Sequence, residues 1–216
     1  MIPYTIDIKH EINIKEEDEY FNFRKDYQVV YQNMFNINCL VEFILNSLLK
    51  KFTKIEKTPK IKLQEVELPL FLLNTLHQAN QGKNLTDVNL LKTPFLKALE
   101  VNFMNFDSEI VILQFHEMLI KFINFYISDE GYLKIIMGIY LGEKGIKYPE
   151  IKIGSKISGI FVKFVEKTKQ NLASIALDSV IKLKEIVDTL VDCKNLSVYN
   201  EIKIVFTRVY SIVSFY

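Results

Sequence analysis

GIYLGEKGIKYPEIKIGSKISGIFVKF, residues 138–164, decides how the chain folds. It holds five of the seven glycines in a chain of 216 residues, with lysines spaced among them and apolar residues on both sides. Two structures suit that composition. One is a glycine-rich loop whose backbone amides cradle a phosphate, as in an enzyme or a nucleotide-binding module. The other is the bend between two packed helices of a scaffold that acts through its surface. The phosphate-loop spacing G-x-x-x-x-G-K-[ST] and the dinucleotide spacing G-x-G-x-x-G are both missing. Gly154-Ser155-Lys156 has the right residues in the wrong order, and no strand pattern precedes it. Gly142-Glu143-Lys144-Gly145 matches the G-x-x-G of KH domains, but its flanks read as long amphipathic helices where a KH domain needs strands. The stretch is therefore expected to run helix, turn, helix. Gly142 and Gly145 would end the helix LKIIMGIYL and supply left-handed turn residues. Gly154, Ser155, Ser158 and Gly159 would let a neighbouring helix approach closely.

The same 3.6-residue period extends outward in both directions. Tyr20, Phe23, Tyr27, Val30, Tyr31 and Met34 form one stripe, and Leu63, Val66, Leu70, Leu73 and Leu76 another, with a kink expected at Pro69. Ile153, Ile157, Ile160, Phe161 and Phe164 continue the pattern, followed by stripes from Leu172 to Leu190 and from Ile202 to Tyr216. Start signals agree: Thr93-Pro94 as N-cap and first helical residue, Asp107-Ser108 before a helix from Glu109, and Tyr148-Pro149-Glu150 before a helix through Phe164. Helices are predicted to begin near 17, 39, 61, 86, 108, 131, 150, 171 and 198. Taken in pairs they repeat every ~42–48 residues, the period of two-helix HEAT or armadillo units. The predicted fold is all-α: a linker or irregular segment over 1–15, where apolar and polar residues alternate, then a HEAT-repeat α-solenoid over 16–216 of roughly four to five stacked helix pairs. A compact helical bundle is the structural alternative.

Composition sets further bounds. Hydrophobic residues are 49% of the chain, enough for a large core, and the scarcity of glycine and proline (seven and five) argues against an all-β fold. The net charge of +1 gives no global attraction to nucleic acid or acidic lipid, so any basic surface must be local. Cys39 and Cys193 lack metal-ligand spacing and read as buried free thiols. The N-terminus is not patterned as a signal peptide, and the most apolar run, 110–127, is broken by His116, Glu117 and Lys121, so no membrane insertion is expected.

Catalytic and metal signals fail as well. His116-Glu117 is not H-E-x-x-H, because residue 120 is Ile, and His10, His77 and His116 are scattered. The acidic run Glu16-Glu17-Asp18-Glu19 reads as a solvated helix N-terminus, where carboxylates favour the dipole. No enzyme, no metal and no cofactor is expected.

With the segments in order, the chain resembles the middle, HEAT-repeat portion of the exportin-T (tRNA exportin) branch of the karyopherin-β, or importin-β, family. EEDEYFNFRKDYQVVYQNMF (16–35) is similar to an acidic linker leading into an aromatic-Arg-Lys helix, with Phe23-Arg24-Lys25 in that place. KLQEVELPLFLLNTLHQANQG (62–82) and EIVILQFHEMLIKFINFY (109–126) resemble two further family helices. MGIYLGEKGIKYPEIKIGSKISGIFVKFVEK (137–167) resembles its short helix, basic turn and following helix. Family members carry arginines after the turn where this chain has Lys152 and Lys156, which keep the charge and lose bidentate phosphate geometry. The resemblance implies a nuclear export receptor that shuttles between nucleus and cytoplasm. It would bind tRNA and Ran GTPase in its GTP form on a concave surface, and nuclear pore proteins. Ran contact would draw on the family's N-terminal region, outside the matching portion, so either a fragment or a reduced homologue is expected. Lys144, Lys147, Lys152, Lys156 and Lys163 are the candidate RNA contacts. Their clustering on one face would favour RNA; their dispersal would favour the alternative, a protein-binding HEAT-repeat scaffold without RNA-binding activity.

Overall fold

The computed structural model of the protein describes residues 14–34, 37–58, 61–80, 88–101, 103–168, 171, 181 and 184–185. Among the described residues all regular structure is helical. The α-helices are α1 (Ile14–Met34), α2 (Asn38–Lys57), α3 (Leu63–Asn80), α4 (Lys92–Glu100), α5 (Glu109–Lys121), α6 (Glu130–Tyr140) and α7 (Ile151–Thr168). Their starts follow the predicted order closely. The helices expected near 171 and 198, residues 1–13 of the linker expected over 1–15 and the side chains of both cysteines lie outside the described residues, while Ile14 and Lys15 of that expected linker already belong to α1. The all-α expectation holds.

Contacts divide the chain into two units, Met1–Asn102 and Phe103–Tyr216. In the first, α1 packs on α3 and α2 on α4, with α2 also against α3. In the second, α5 packs on α7. Pairing of each helix with the next but one is what stacked helix pairs produce, because first helices stack on first helices and second on second. The expected stripes form these contacts. Val66, Leu70, Leu73 and Leu76 of α3 are fully buried, as are Phe52 of α2 and Phe95 and Ala98 of α4. The α3 helix runs on through Pro69.

Two local expectations are corrected. Thr93 is not an N-cap: a 3-10 turn, Val88–Leu91, leads straight into α4, so the helix begins at Lys92 and Pro94 is its third residue. Proline is tolerated there because the first-turn N–H groups have no intrahelical partner. Among the described side chains of the α1 stripe, Tyr31 and Met34 are half-buried and the other two are exposed. Tyr27 is 44% exposed and Val30 53%. Instead α1 turns Arg24 and Gln28 towards α3. Arg24 pairs with Glu67 and lies 4.3 Å over the Phe71 ring, while the Gln28 amide donates to Gln78 Oε1 at 2.6 Å. The cause is Glu67, only 7% exposed on α3. A buried carboxylate without a cation costs several kcal/mol, more than the gain from burying one Val or Tyr face. Exposed ion pairs add little beside this: Lys97 bridges α4 to Glu56 of α2 at 2.8 Å.

Replacing Arg24 by Ala is expected to destabilise the chain by about 3 kcal/mol, since it removes the guanidinium paired with a buried carboxylate. The double variant Arg24→Met/Glu67→Leu should recover most of that loss. Urea unfolding followed by circular dichroism measures both; equal losses in the single and double variants would show that Arg24 matters for its packing alone.

Candidate nucleic-acid interface

The decisive stretch is built from α6, a tight turn and α7. Asp129 caps α6 by accepting from Tyr132 N at 3.1 Å, and the helix closes with Leu141 N donating to Met137 O and Gly142 N to Ile139 O. The chain then folds back so that Ile146 N donates to Tyr140 O at 2.9 Å. This return explains Gly145: a Cβ there would lie 2.1 Å from the Tyr140 carbonyl oxygen. Neither Gly142 nor Gly145 has φ in the left-handed region, which corrects that part of the expectation. Close approach, and not backbone handedness, demands the glycine. Glu150 opens α7, its Oε2 accepting from Ile153 N at 2.7 Å and its carbonyl from Gly154 N. The Tyr148-Pro149-Glu150 start signal is therefore real.

The turn is pinned from below by α5. His116 is fully buried, with Nε2 3.1 Å from the Lys144 carbonyl oxygen and its ring 5.1 Å from that of Tyr140. The Lys144 ammonium donates to the Phe106 carbonyl at 2.9 Å and lies 3.7 Å from Asp107. Ser108 beside them caps α5, accepting from Val111 N. The amides that a phosphate cradle would need, those of Gly142, Gly145, Ile146 and Tyr148, donate to Ile139, Gly142, Tyr140 and Gly145 carbonyls instead. The stretch is a structural turn.

Above the turn the lysines separate into two kinds. Lys144 is engaged as described. Lys147, Lys152, Lys156 and Lys163 are exposed and form no ion pair among the described residues. Lys152, Lys156 and Lys163 stand at i, i+4 and i+11, which 3.6 residues per turn brings onto one face of α7 over about 16 Å. Exposed Lys167, four residues on, extends the same stripe. Lys167 is not among the five candidate lysines, although continuing the i+4 step past Lys163 finds it. Opposite lie Ile157, Phe161 and Phe164, fully buried, with Phe161 and Phe164 stacked around Tyr140 at about 5 Å. Gly154 and Ser158 are buried, as close helix approach requires, whereas a Cβ on Gly159 would meet nothing within 4 Å. Gly159 instead lines a groove of about 340 Å³ with Leu113, Glu117, Lys156, Ile160 and Lys163.

The other motif sits in the first unit. Arg24 is held by Glu67 and Phe71, Lys25 is exposed, and the side chain of Phe23 lies outside the described residues. No group of His, Cys, Asp or Glu among the described residues is placed to hold a metal ion, and no helix there is long and apolar enough to cross a membrane.

Comparison with known proteins gives a distant similarity. The chain is 23% identical over 180 residues to Exportin-T of Arabidopsis thaliana, covering 82% of this chain and 18% of that protein. It therefore spans about a fifth of that relative's length. No family model matches, and no solved structure does. At this level the likeness indicates an exportin-like, karyopherin-type relationship.

Burial pushes the His116 imidazole down to about 4, against the weaker opposing pull of the Lys144 carbonyl. The folded chain thus holds His116 neutral while the unfolded chain takes up a proton near pH ~6.5. Stability should be full above that pH, fall by about 3 kcal/mol as pH drops from 6.5 to 4, and level off below. Urea midpoints across this window measure it, with His116→Gln removing most of the slope; an unchanged slope in that variant would assign the acid sensitivity to other groups. Gly145→Ala is expected to lower the unfolding temperature sharply, because the backbone oxygen of Tyr140 cannot yield.

Proposed function

We propose that the chain is part of a nuclear export receptor of the karyopherin type that carries tRNA together with Ran GTPase in its GTP form, docks on nuclear pore proteins and shuttles between nucleus and cytoplasm. One structural observation carries the RNA part: Lys152, Lys156 and Lys163 share an exposed face of α7 and have no ion-pair partner among the described residues. Unpaired cations repeated along a rigid helix suit a phosphate backbone, which offers regularly spaced anions and releases counterions when neutralised. Lysine fits this task without reading sequence, because its ammonium acts as a point charge and lacks the fork that arginine brings to a phosphate. The distant similarity to Exportin-T supports the export-receptor part of the reading, and tRNA as the cargo follows from the family resemblance of the sequence segments. Mechanism on this proposal is stoichiometric: cargo binds, crosses and is released, with no bond made or broken.

Lys144 stands apart. Its ammonium is already committed to Phe106, so its loss should weaken the fold and leave RNA affinity nearly unchanged. Replacing Lys147, Lys152, Lys156 and Lys163 together by Ala should weaken tRNA binding and reduce the slope of log affinity against log salt by about 3, from roughly 0.7–0.9 per phosphate contact. Helix content should stay the same, since all four side chains are exposed. Anisotropy titrations of tRNA at several salt concentrations, with ATP and GTP as controls, decide the matter. Unchanged affinity and slope would remove this face from any RNA surface, and tight mononucleotide binding would restore the cradle that the turn's hydrogen bonds argue against.

A further inference from the structure

We propose that the groove between α5 and α7 docks a short amphipathic helix of a partner protein, one that carries two carboxylates seven residues apart with apolar side chains midway between them. The walls of the groove specify both halves of that ligand. Lys156 and Lys163 stand on its α7 rim, with Ile160 and Gly159 between them, while Leu113 and Glu117 come from α5. Two helical turns separate the lysines, about 10 Å along α7. A helix laid alongside has the same rise, so carboxylates at i and i+7 meet both ammonium groups in register. Its residues at i+3 and i+4 then lie over Ile160 and Leu113. The floor has room for them at Gly159, where an added Cβ would touch nothing within 4 Å.

The α5 wall continues the apolar character. Ile110, 41% exposed, is followed on the same helical face by Leu113, Glu117 and Ile120, a stripe interrupted by one carboxylate. That carboxylate faces its own cation, the Lys121 ammonium at 3.6 Å, so the charge offered to an incoming ligand is that of Lys156 and Lys163. A nucleic-acid backbone would satisfy the lysines and gain nothing from exposed aliphatic side chains. An acidic segment with a leucine-like centre satisfies both, by ion pairs at the rim and apolar burial at the floor. This docking stands independently of the tRNA proposal, because the apolar floor, and not the length of the lysine stripe, defines it.

The test is fluorescence anisotropy of the full chain with a labelled alanine-based helical peptide bearing glutamates seven residues apart and leucines at the two midway positions. Saturable binding is expected, weakened roughly tenfold or more when the leucines become serines. The double charge reversal Lys156→Glu/Lys163→Glu should lose the glutamate peptide and gain one with lysines in place of its glutamates. Gly159→Gln adds its side chain where a Cβ meets nothing within 4 Å and at the floor of the groove, so it should keep the helix content of the chain and lose the peptide. Absence of binding would overturn the proposal. So would equal affinity for the leucine and serine peptides, or indifference to Gly159→Gln, either of which would leave a purely electrostatic face suited to RNA. Retained tRNA binding in Gly159→Gln alongside lost peptide binding would separate the two proposals, since only the lysines serve both.

Discussion

A single buried imidazole organises the second unit. His116 lies on α5 with its Nε2 against the Lys144 carbonyl and its ring against Tyr140, so it joins α5, the end of α6 and the turn that launches α7. Each of these contacts is a consequence of dryness. A carbonyl taken from water needs a donor, and among the side chains near the turn the imidazole supplies one without bringing charge. Tyr140 then stacks with Phe161 and Phe164, which fixes the rotation of α7 about its own axis. Once that rotation is set, the lysines of α7 have one place to go, the side away from the core.

The first unit obeys the same constraint with different groups. Glu67 is buried on α3 and draws Arg24 inward, and α1 turns its Tyr27 and Val30 to solvent as a result. In the first unit a buried carboxylate, more than the apolar stripe, decides which face of α1 looks in; in the second the imidazole holds the turn, and the aromatic contacts of Tyr140 set the face of α7. Apolar burial is proportional to area and nearly indifferent to a small rotation of the helix. An unmet charge or carbonyl is not indifferent, because its cost falls on one atom and is relieved by one partner.

This difference explains what the sequence made legible. Helix positions, the Ser108 and Glu150 starts and the apolar stripes of α3 and α7 follow from period and capping, which are local properties. The inward rotation of α1 depends on Glu67, 43 residues from Arg24, and nothing near Phe23-Arg24-Lys25 announces it. The same holds for Lys144. Among five candidate lysines it looked equivalent to the others, and only the fold reveals that Phe106, 38 residues earlier, holds its ammonium. Gly145 is visible in the sequence as a turn glycine, but whether it serves handedness or close approach depends on the Tyr140 carbonyl. The groove beside Gly159 was not legible at all, since it needs α5 and α7 side by side.

The two ligands proposed for α7 are linked by the residues they share. On those proposals Lys156 and Lys163 would neutralise either a run of phosphates or a pair of carboxylates, since an ammonium paired with one is not free for the other. Binding on this face would then be mutually exclusive, and each ligand would raise the apparent dissociation constant of the other by the factor one plus its concentration over its own constant. Salt acts unequally on that competition. The proposed RNA contact would draw on the whole stripe from Lys152 to Lys167 and fade steeply as counterions accumulate, whereas the proposed acidic helix would engage two charges and retain its apolar contact with Ile160 and Leu113. On both proposals rising ionic strength would move the face from the polyanion to the amphipathic helix, with no change in the fold that presents it.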